Sequence, residues 1–377
     1  MDLEKINNLY FPAFSEEIET YVCPIPKSYN EAPNGLRLAK GWRYFNELKV
    51  IQKYNNIYSE VIMTPKDLIK SAASAGNSAL QEAEKIIHNL TKKRNSFSNM
   101  DMSCLHIMGI INLTPDSFYE ASQKENVASA LETAIKMDND GASIIDLGGE
   151  SSKPGAIKIS ADEEQKRVIP SINEIKNISN LKAKISLDTC NLSTMQRGED
   201  NGVDIINDIS GFVDVQNINF ISKKKIPIIV MHMQNDPKTM QQNPQYDFSP
   251  IDIYKILSKK IKVLLKLGVL ESNIVIDPGF GFGKNVSHNL EILNYLSLFH
   301  GLGVPILIGL SRKSLIADIT IDGYRSFGIN KKIIEPSNRL SGSIVFAIHG
   351  YNNGIQIIRT HDVFETRQAI FCQKSIS

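Results

Sequence analysis

The sequence predicts a (β/α)8 barrel that is preceded by a mainly helical or irregular N-terminal region. From Leu105 onward, short aliphatic runs alternate with amphipathic helical stretches, and there are eight such runs. Continuously apolar strands that alternate with helices indicate parallel strands covered by helices. A doubly wound open sheet shows the same alternation, but eight consecutive units in roughly 250 residues favour closure into a barrel.

The chain divides into a region of residues 1–100 and a barrel region of residues 101–377. The first region has few clean strands, and its best element is a helix near residues 65–94. It carries no chemical motif, so its role is open: a degenerate domain, an oligomerisation arm or a spacer. The polar stretch SFSNMDMS at residues 96–103 is typical of a flexible linker between the two regions.

Composition places the chain among ordinary soluble proteins. The apolar fraction is 42%, the charged fraction is 22% and the net charge is +1, which gives no electrostatic case for nucleic acid or a membrane surface. The four cysteines are scattered, without a C-x-x-C pair, which favours a reducing compartment over a zinc site or disulfide framework. The sequence has no secretory signal and no apolar run of spanning length. We therefore expect a cytoplasmic protein without nucleic-acid or membrane partners.

The predicted strands of the barrel are the aliphatic runs, which lie at residues 105–112, 143–149, 183–189, 204–211, 227–233, 273–279, 305–311 and 355–362. The amphipathic stretches between most of them predict the surrounding helices. Ser160 and Glu163 have the spacing of a capping box at the start of the second of these helices.

Polar residues end each aliphatic run on its carboxyl side: Asn112, Asp146, Asp188, Asn207, His232, Asp277, Ser311, Arg312, Lys313, Arg359 and His361. In a closed barrel all of these ends converge on one mouth, where barrel enzymes carry their active sites. Any one of them alone would be a strand-end cap or a turn former. Their coincidence favours a binding site, because buried polar groups are costly unless they find partners.

The sixth run ends in the motif D-P-G-F-G-F-G-K, residues 277–284. The Asp277 carboxylate is placed to accept two N–H donors from a planar heterocycle, and the glycines let the backbone approach a ligand closely. Phe280 and Phe282 would supply flat walls; alternatively, the acid caps a turn and the phenylalanines lie in the core. The spacing does not match a phosphate-binding P-loop, and the first strand lacks a Rossmann motif.

Motifs at every strand end resemble those of the dihydropteroate synthase family. They are N-L-T-P-D-S-F (112–118), D-L-G-G-E-S-S-K-P-G-A (146–156), D-T (188–189), I-N-D-I (206–209), M-H-M-Q (231–234), D-P-G-F-G-F-G-K (277–284), G-L-S-R-K-S (309–314) and R-T-H-D (359–362). The resemblance covers about residues 105–370. It implies condensation of a 7,8-dihydropterin 6-methyl diphosphate with 4-aminobenzoate, with Mg²⁺ as cofactor and a homodimer as the assembly.

The same resemblance implies a role for each matched residue. The pterin ring would be held by Asp188, Asn207 and Asp277, its carbonyl side by Lys313, and its faces would be covered by Met231 and Arg359. Mg²⁺ and diphosphate would be bound by Asn112, joined by Arg359 and His361. The aminobenzoate carboxylate would be bound by Ser314, and Phe282 would line the aminobenzoate pocket. Further substrate-binding residues would be Asp146, Ser152, Lys153 and Gly309, and the catalytic group would be Asp188, Lys313, Arg359 and His361.

The residue types agree with that chemistry. Breaking the C–O bond leaves positive charge on the pterin methylene, which a fixed carboxylate such as Asp188 stabilises. Arg, His and Mg²⁺ supply countercharge to the departing diphosphate. The amine then attacks an electrophilic carbon, so no strong base is required. The N-terminus of the helix after the seventh strand suits the aminobenzoate carboxylate at Ser314.

Two loops depart from the family pattern. Lys153 stands where the family usually has arginine, and the loop at Tyr119–Gln123 lacks the usual glycines. Both loops are expected to close over the substrates. Because arginine offers a planar fork and lysine a mobile point charge, we expect Lys153→Arg to lower the Michaelis constant for aminobenzoate. The alternative is that Lys153 points to solvent.

Two other functions are compatible with such a barrel. A methyltransferase acting on methyltetrahydrofolate shares pterin-binding Asp and Asn residues, but it would not need the S-R-K-S or T-P-D-S-F motifs found here. A non-catalytic pterin binder would carry damaged strand ends, whereas the polar strand ends of this sequence are unbroken.

Overall fold

The computed structural model describes residues 6–7, 18–55, 57–113, 123–151, 155–156 and 158–376. The N-terminal region, called the extension below, contains a four-stranded sheet. Its strands lie in the order β1 (Ile6–Asn7), β6 (Ile57–Met63), β5 (Leu48–Tyr54) and β2 (Glu19–Pro24). The β1–β6 pair is parallel and the other pairs are antiparallel. Two short strands, β3 (Leu36–Arg37) and β4 (Tyr44–Phe45), form a separate antiparallel pair.

Two helices complete the extension and confirm the predicted helix near residues 65–94: α1 (Pro65–Ala75) and α2 (Asn77–Thr91). Gly76 separates them at a φ of +116°, a conformation that favours glycine. Thr64 caps α1 by accepting from the Asp67 backbone N–H at 3.1 Å. The expectation of a mainly helical or irregular region omitted the sheet. Its strands mix buried with exposed residues, and they therefore lack the continuous apolar runs of the barrel strands.

The predicted (β/α)8 barrel is confirmed by an eight-stranded, all-parallel sheet. Its strands are β7 (His106–Asn112), β8 (Ile144–Gly148), β9 (Lys184–Asp188), β10 (Ile205–Asp208), β11 (Ile228–Met231), β12 (Ile274–Asp277), β13 (Leu307–Ile308) and β14 (Ile357–Thr360). Neighbours pair in chain order from β7 to β12, and β14 lies between β7 and β13. A parallel bridge between Ile276 and Ile306 closes the ring.

Helices surround this ring: α3 (Gln123–Asn139), α4 (Ala161–Lys176), α5 (Leu192–Asp200), α6 (Val215–Lys224), α7 (Ser249–Lys266), α8 (Val286–Asn294), α9 (Ser314–Ser326), α10 (Leu340–Asn352) and α11 (Val363–Ser375). Short 3-10 helices lie at Leu38–Lys40, Glu271–Asn273, Leu296–Leu302 and Pro336–Arg339. Ser160 caps α4, as predicted, by accepting from the Glu163 N–H at 3.2 Å. Among the described helices, none combines the length and apolarity needed to cross a membrane.

The floor of the barrel is an apolar layer of inward-facing side chains: Met108, Ile144, Ile205, Ile229, Val275, Leu307 and Ile357. Phe97 and Met102 belong to this layer and are fully buried. Phe97 pairs with Met100 in a small hairpin, with N–O distances of 3.0 and 2.9 Å. The expectation of a flexible linker at residues 96–103 is therefore wrong, since this segment forms a hairpin whose buried side chains close the bottom of the barrel. The division between residues 100 and 101 stays a prediction.

The extension packs against the outside of the barrel at α7 and the 3-10 helix Leu296–Leu302. One apolar cluster spans the contact, and it contains Cys23, Ile51, Tyr58, Phe248, Ile251, Tyr295 and Leu298. Polar contacts accompany it: the Tyr295 hydroxyl donates to Glu60 at 2.7 Å, and the buried Arg94 donates to the His300 carbonyl at 2.9 Å. The extension is thus joined to the barrel by an apolar contact with hydrogen bonds across it.

Candidate active site

Functional side chains line the barrel above its apolar floor because inward-facing positions recur at every second residue of a strand. Ile144 in the floor is followed by Asp146, Ile205 by Asn207, and Val275 by Asp277. The remaining strands follow the same rule and add Asn112, Asp188, Met231, Gly309 and Arg359. These eight residues, all predicted to be site residues, therefore lie at the carboxyl end of the barrel.

Arg359 is the centre of this layer. Its Nε donates to Asp146 Oδ2 at 2.7 Å, and its guanidinium also reaches Asp188 Oδ2 at 3.2 Å. Asn207 Nδ2 donates to the same Asp146 oxygen at 3.1 Å. Asp146 is fully buried, and its Oδ1 has no hydrogen-bond partner among the described residues. Asp146 thus holds Arg359 and Asn207 in place from below.

Burial changes the acidity of the groups in this layer. Burial, followed by the Asp146 charge, raises the pKa of Asp188, while Arg359 opposes the rise. Burial also raises the pKa of Asp277, against the hydrogen bond from Gly279. Burial lowers the pKa of Lys313 to about 8, and Arg359 adds to this effect. Carboxylates and cations in this layer therefore depend on one another for countercharge.

The loop from Asp277 to Lys284, called the glycine loop below, requires its glycines. Gly279, Gly281 and Gly283 have φ values of +71°, +75° and +63°. A Cβ atom at Gly279 would lie 1.9 Å from the His232 carbonyl oxygen, and a Cβ at Gly283 would lie 2.7 Å from that of Gln234. Only glycine lets this loop pack against the backbone that follows β11.

Lys284 holds the glycine loop from inside, a role that we did not predict from the sequence. Its buried Nζ donates to the carbonyls of Gly279 at 2.7 Å and Phe282 at 2.9 Å, and it contacts His232 Nδ1 at 2.9 Å. Burial lowers its pKa to about 7. The only sequence signal was a lysine that ends a glycine-rich motif. His232, predicted at the mouth, is buried as the partner of Lys284.

The two phenylalanines of the glycine loop have different environments. Phe280 is 1% exposed and belongs to the core between strands and helices, so the expectation of a flat wall at this residue is wrong. Phe282 packs with Met231 and Met240, and the centroid of its ring lies 3.9 Å from Lys313 Nζ. Phe282 and Lys313 therefore join the glycine loop to the end of β13.

His361 and Ser311 face each other at the ends of β14 and β13. Ser311 Oγ accepts from the His361 backbone N–H at 3.2 Å and lies 3.0 Å from His361 Nδ1. That geometry lets the hydroxyl donate to Nδ1, which leaves the proton of a neutral ring on Nε2. Burial, with the charge of Arg359, lowers the pKa of His361 to about 4. Arg312 instead forms an ion pair with Asp362.

The remaining predicted residues lie at the rim or outside the described part of the chain. Asn112 is exposed at the end of β7, and Ser314 is exposed as the first residue of α9. Gly309 faces Arg359, whose Cβ lies 3.8 Å from an ideal Cβ built at that glycine. Ser152 and Lys153 lie outside the described residues, as do residues 119–122 of the first loop.

Fold and site together define a barrel enzyme with a layer of polar and charged side chains at the carboxyl end of its strands, and comparison with known proteins gives its family. A model described as "Pterin binding enzyme" matches residues 108–361. The chain belongs to the pterin-binding enzyme family, and its relatives place it among the dihydropteroate synthases.

Curated relatives named dihydropteroate synthase match most of their own length. The enzyme of Escherichia coli strain K12 is 38% identical over 273 residues, which are 72% of this chain and 92% of that protein. The enzyme of Haemophilus influenzae is 37% identical over 267 residues, 71% of this chain and 92% of that protein. These relatives support the synthase over the methyltransferase that the sequence left open.

Solved structures agree with the curated relatives. Yersinia pestis dihydropteroate synthase in a sulfonamide drug complex is 35% identical, with a TM-score of 0.67, and the match covers 74% of this chain and 96% of that one. The Xanthomonas albilineans enzyme with 4-aminobenzoic acid is 29% identical, with a TM-score of 0.66 and coverage of 75% and 97%. The shared part is thus almost the whole relative but only about three quarters of this chain.

Proposed function

We infer that this protein condenses 6-hydroxymethyl-7,8-dihydropterin diphosphate with 4-aminobenzoate to give 7,8-dihydropteroate and diphosphate. The observation that carries this conclusion is the single layer of Asp188, Asn207, Asp277, Lys313 and Arg359 around one barrel mouth. Relatives support the substrates, because the Xanthomonas albilineans enzyme has been solved with 7,8-dihydropteroate and with 4-aminobenzoic acid.

The pterin ring fits the free hydrogen-bonding atoms of this layer. Asp277 Oδ1 accepts from the Gly279 N–H at 2.7 Å, which fixes the carboxylate and directs its second oxygen to a ligand. Asn207 donates its amide N–H to Asp146, so its carbonyl oxygen is left as an acceptor. Both atoms suit the amino and ring N–H donors of a pterin. Lys313 supplies the donor for the ring carbonyl.

Bond cleavage follows from the charges around the methylene carbon. The C–O bond breaks with its electron pair on the diphosphate, and Asp188 faces the positive charge left on the pterin. Arg359 and the Nε2–H of His361 are the donors for the departing diphosphate. The aminobenzoate nitrogen then forms the C–N bond and loses a proton to solvent. No side chain has to act as a strong base in this sequence.

Mg²⁺ is proposed as a cofactor that enters with the diphosphate. The described residues contain no cluster of three or more His, Cys, Asp or Glu side chains that would hold a metal ion alone. The exposed residue Asn112 at the mouth offers an amide oxygen, which suits Mg²⁺ because this ion keeps several waters and takes one or two protein ligands together with substrate phosphates. When bound, Mg²⁺ would supply countercharge to the leaving group.

The second substrate is proposed to lie between the glycine loop and α9. Ser314 opens α9, whose N-terminus favours an anionic carboxylate. Phe282 lines the space beneath it and is held by Lys313. The aminobenzoate ring would pack on Phe282 with its amine directed to the pterin methylene.

A direct assay tests this function. Purified protein is given both substrates, with and without Mg²⁺, and dihydropteroate and diphosphate are measured together. We expect equal amounts of both products, and a strong reduction without the metal. Pterin binding without any product would instead identify the non-catalytic pterin binder.

Homodimerisation and a cytoplasmic location are further proposals. Sedimentation analysis tests the first, and fractionation of the source cells tests the second.

A further inference from the structure

The extension touches the loop that connects β11 to α7, residues 232–248, called the β11–α7 loop below. Lys53 Nζ donates to Asp247 Oδ2 at 2.7 Å, and the Tyr58 hydroxyl donates to the same oxygen at 2.8 Å. The Tyr58 ring also packs edge-on against Phe248, with centroids 5.3 Å apart. Two residues of the extension therefore fix the last two residues of this loop.

The same β11–α7 loop is bonded to the glycine loop of the active site. Tyr246, which precedes Asp247, donates its hydroxyl proton to the Gly283 carbonyl at 2.8 Å. Gln241 Nε2 donates to the Gly281 carbonyl at 2.7 Å. Gly283 also packs so closely on Gln234 that no Cβ fits between them. Movement of the β11–α7 loop would therefore displace the backbone on both sides of Phe282.

We propose that the extension is a positioning element for the aminobenzoate pocket, acting from Lys53 and Tyr58 through Asp247 and Tyr246 to the glycine loop. The matched relatives are covered almost end to end by about three quarters of this chain, and the family match begins at residue 108. The extension thus adds an anchor outside the shared barrel. The kinetic part of this inference rests on the proposed function, since it assigns Phe282 to the aminobenzoate site.

The strength of this anchor comes chiefly from Tyr58. The Lys53–Asp247 ion pair is partly exposed, with the Asp247 side chain 43% accessible, and exposed pairs contribute little. Tyr58 is 2% exposed and combines ring packing with its hydroxyl bond. Tyr58→Phe removes the bond and keeps the packing, so it tests the connection with little change in volume.

Tyr295 provides a matched control. Its hydroxyl donates to Glu60 at 2.7 Å, also across the contact between the extension and the barrel, and its ring lies in the same apolar cluster. Tyr295→Phe removes one hydroxyl-to-carboxylate bond, as Tyr58→Phe does, but the lost bond does not lead to the β11–α7 loop. Thermal unfolding of the two variants shows whether they weaken the fold equally.

Steady-state kinetics separate positioning from general stability. We expect Tyr58→Phe to raise the Michaelis constant for aminobenzoate about threefold to tenfold, the size of one hydrogen bond, with kcat nearly unchanged. Tyr295→Phe should leave that constant at the wild-type value. Tyr246→Phe should raise the same Michaelis constant by a similar factor. The variant that carries both Tyr58→Phe and Tyr246→Phe should raise it by less than the product of the two single factors, because both substitutions act on one connection. Equal constants for the Tyr58 and Tyr295 variants would overturn the proposal.

Hydrogen exchange gives a second readout that does not depend on catalysis. We expect faster amide exchange in residues 279–284 of the substrate-free Tyr58→Phe protein than in the Tyr295→Phe protein. Unchanged exchange in this segment would also overturn the proposal. If the wild-type protein made no dihydropteroate, the proposed function would fail, while the exchange comparison would still decide whether the extension holds the glycine loop.

Discussion

Asp277 is the residue whose loss should affect turnover most directly. Asp277→Ala removes the carboxylate oxygen that would accept a pterin N–H and the oxygen that accepts from the Gly279 N–H, and each hydrogen bond to a charged group is worth about 1.5–3 kcal/mol. We expect kcat/KM to fall by at least about a hundredfold, from the same bond energies. Asp277→Asn is the control for the loop, since its amide oxygen can still accept from Gly279. Wild-type kinetics in Asp277→Ala would remove this residue from the site.

Lys284 should make stability depend on pH. Its pKa is about 7 in the folded protein, against an ordinary value of 10.5. Between these values the unfolded chain binds one more proton than the folded protein, so the free energy of unfolding rises with pH in this window. Below about pH 7 both states are protonated, and this contribution becomes constant.

Lys284→Met tests whether Lys284 makes the free energy of unfolding rise with pH, because the methionine side chain does not titrate. Urea unfolding of both proteins between about pH 7 and pH 9 should show the wild type gaining stability relative to the variant as pH rises. A constant difference across that range would show that Lys284 is charged in the folded state throughout.

Individual strand-end residues were predictable from the sequence, but their partners were not. Asp146 and Arg359 are 213 positions apart, and only closure of the ring brings them to 2.7 Å. His232 and Lys284 are separated by 52 positions, and their contact depends on how the glycine loop folds back on β11. The local sequence shows which residue type stands at the end of a predicted strand. Which two side chains then contact each other across the barrel depends on how the whole ring closes.

At the scale of one loop, Gly279 and Gly281 allow a paired test. Both have positive φ values, so alanine at either position is strained by roughly 1–2 kcal/mol. Only at Gly279 would the new Cβ meet a backbone oxygen at 1.9 Å; at Gly281 the nearest atom is the flexible Lys313 side chain at 3.4 Å. We expect Gly279→Ala to lose activity and stability far beyond Gly281→Ala. Thermal unfolding measures the stability of both variants, and a steady-state assay measures their turnover. Similar losses in the two variants would contradict the close approach of Gly279 to the His232 carbonyl oxygen.

Elements of the barrel were predictable because their strands are uniformly apolar and are separated by helices of regular period. The extension strands were missed for the opposite reason: β5 and β6 mix buried and charged residues and are joined by a tight turn at Asn55. The buried hairpin at residues 96–103 was not predicted, because only Phe97 and the methionines are apolar in this polar stretch. Their burial is supplied by the barrel, which a local window does not include.

Shortened chains test the whole molecule. A chain that begins near residue 101 keeps every mouth residue from Asn112 onward, so we expect some turnover. A chain that begins at residue 95 also keeps Phe97, and it should be more stable by about 3–5 kcal/mol, the usual cost of losing a buried phenylalanine. Urea unfolding and turnover compare the two chains. Equal stability would show that the hairpin is dispensable to the barrel floor.

The contact between Tyr58 and Asp247 has a consequence for the order in which the protein is made. The two residues are 189 positions apart, so a ribosome adding about 5–20 residues per second needs about 10–40 s to go from one to the other. Throughout that interval the apolar face of Cys23, Ile51 and Tyr58 emerges without the barrel surface that later covers it. We therefore expect this apolar surface of the nascent extension to stay uncovered until α7 has been synthesised, as a surface of the kind that chaperones bind.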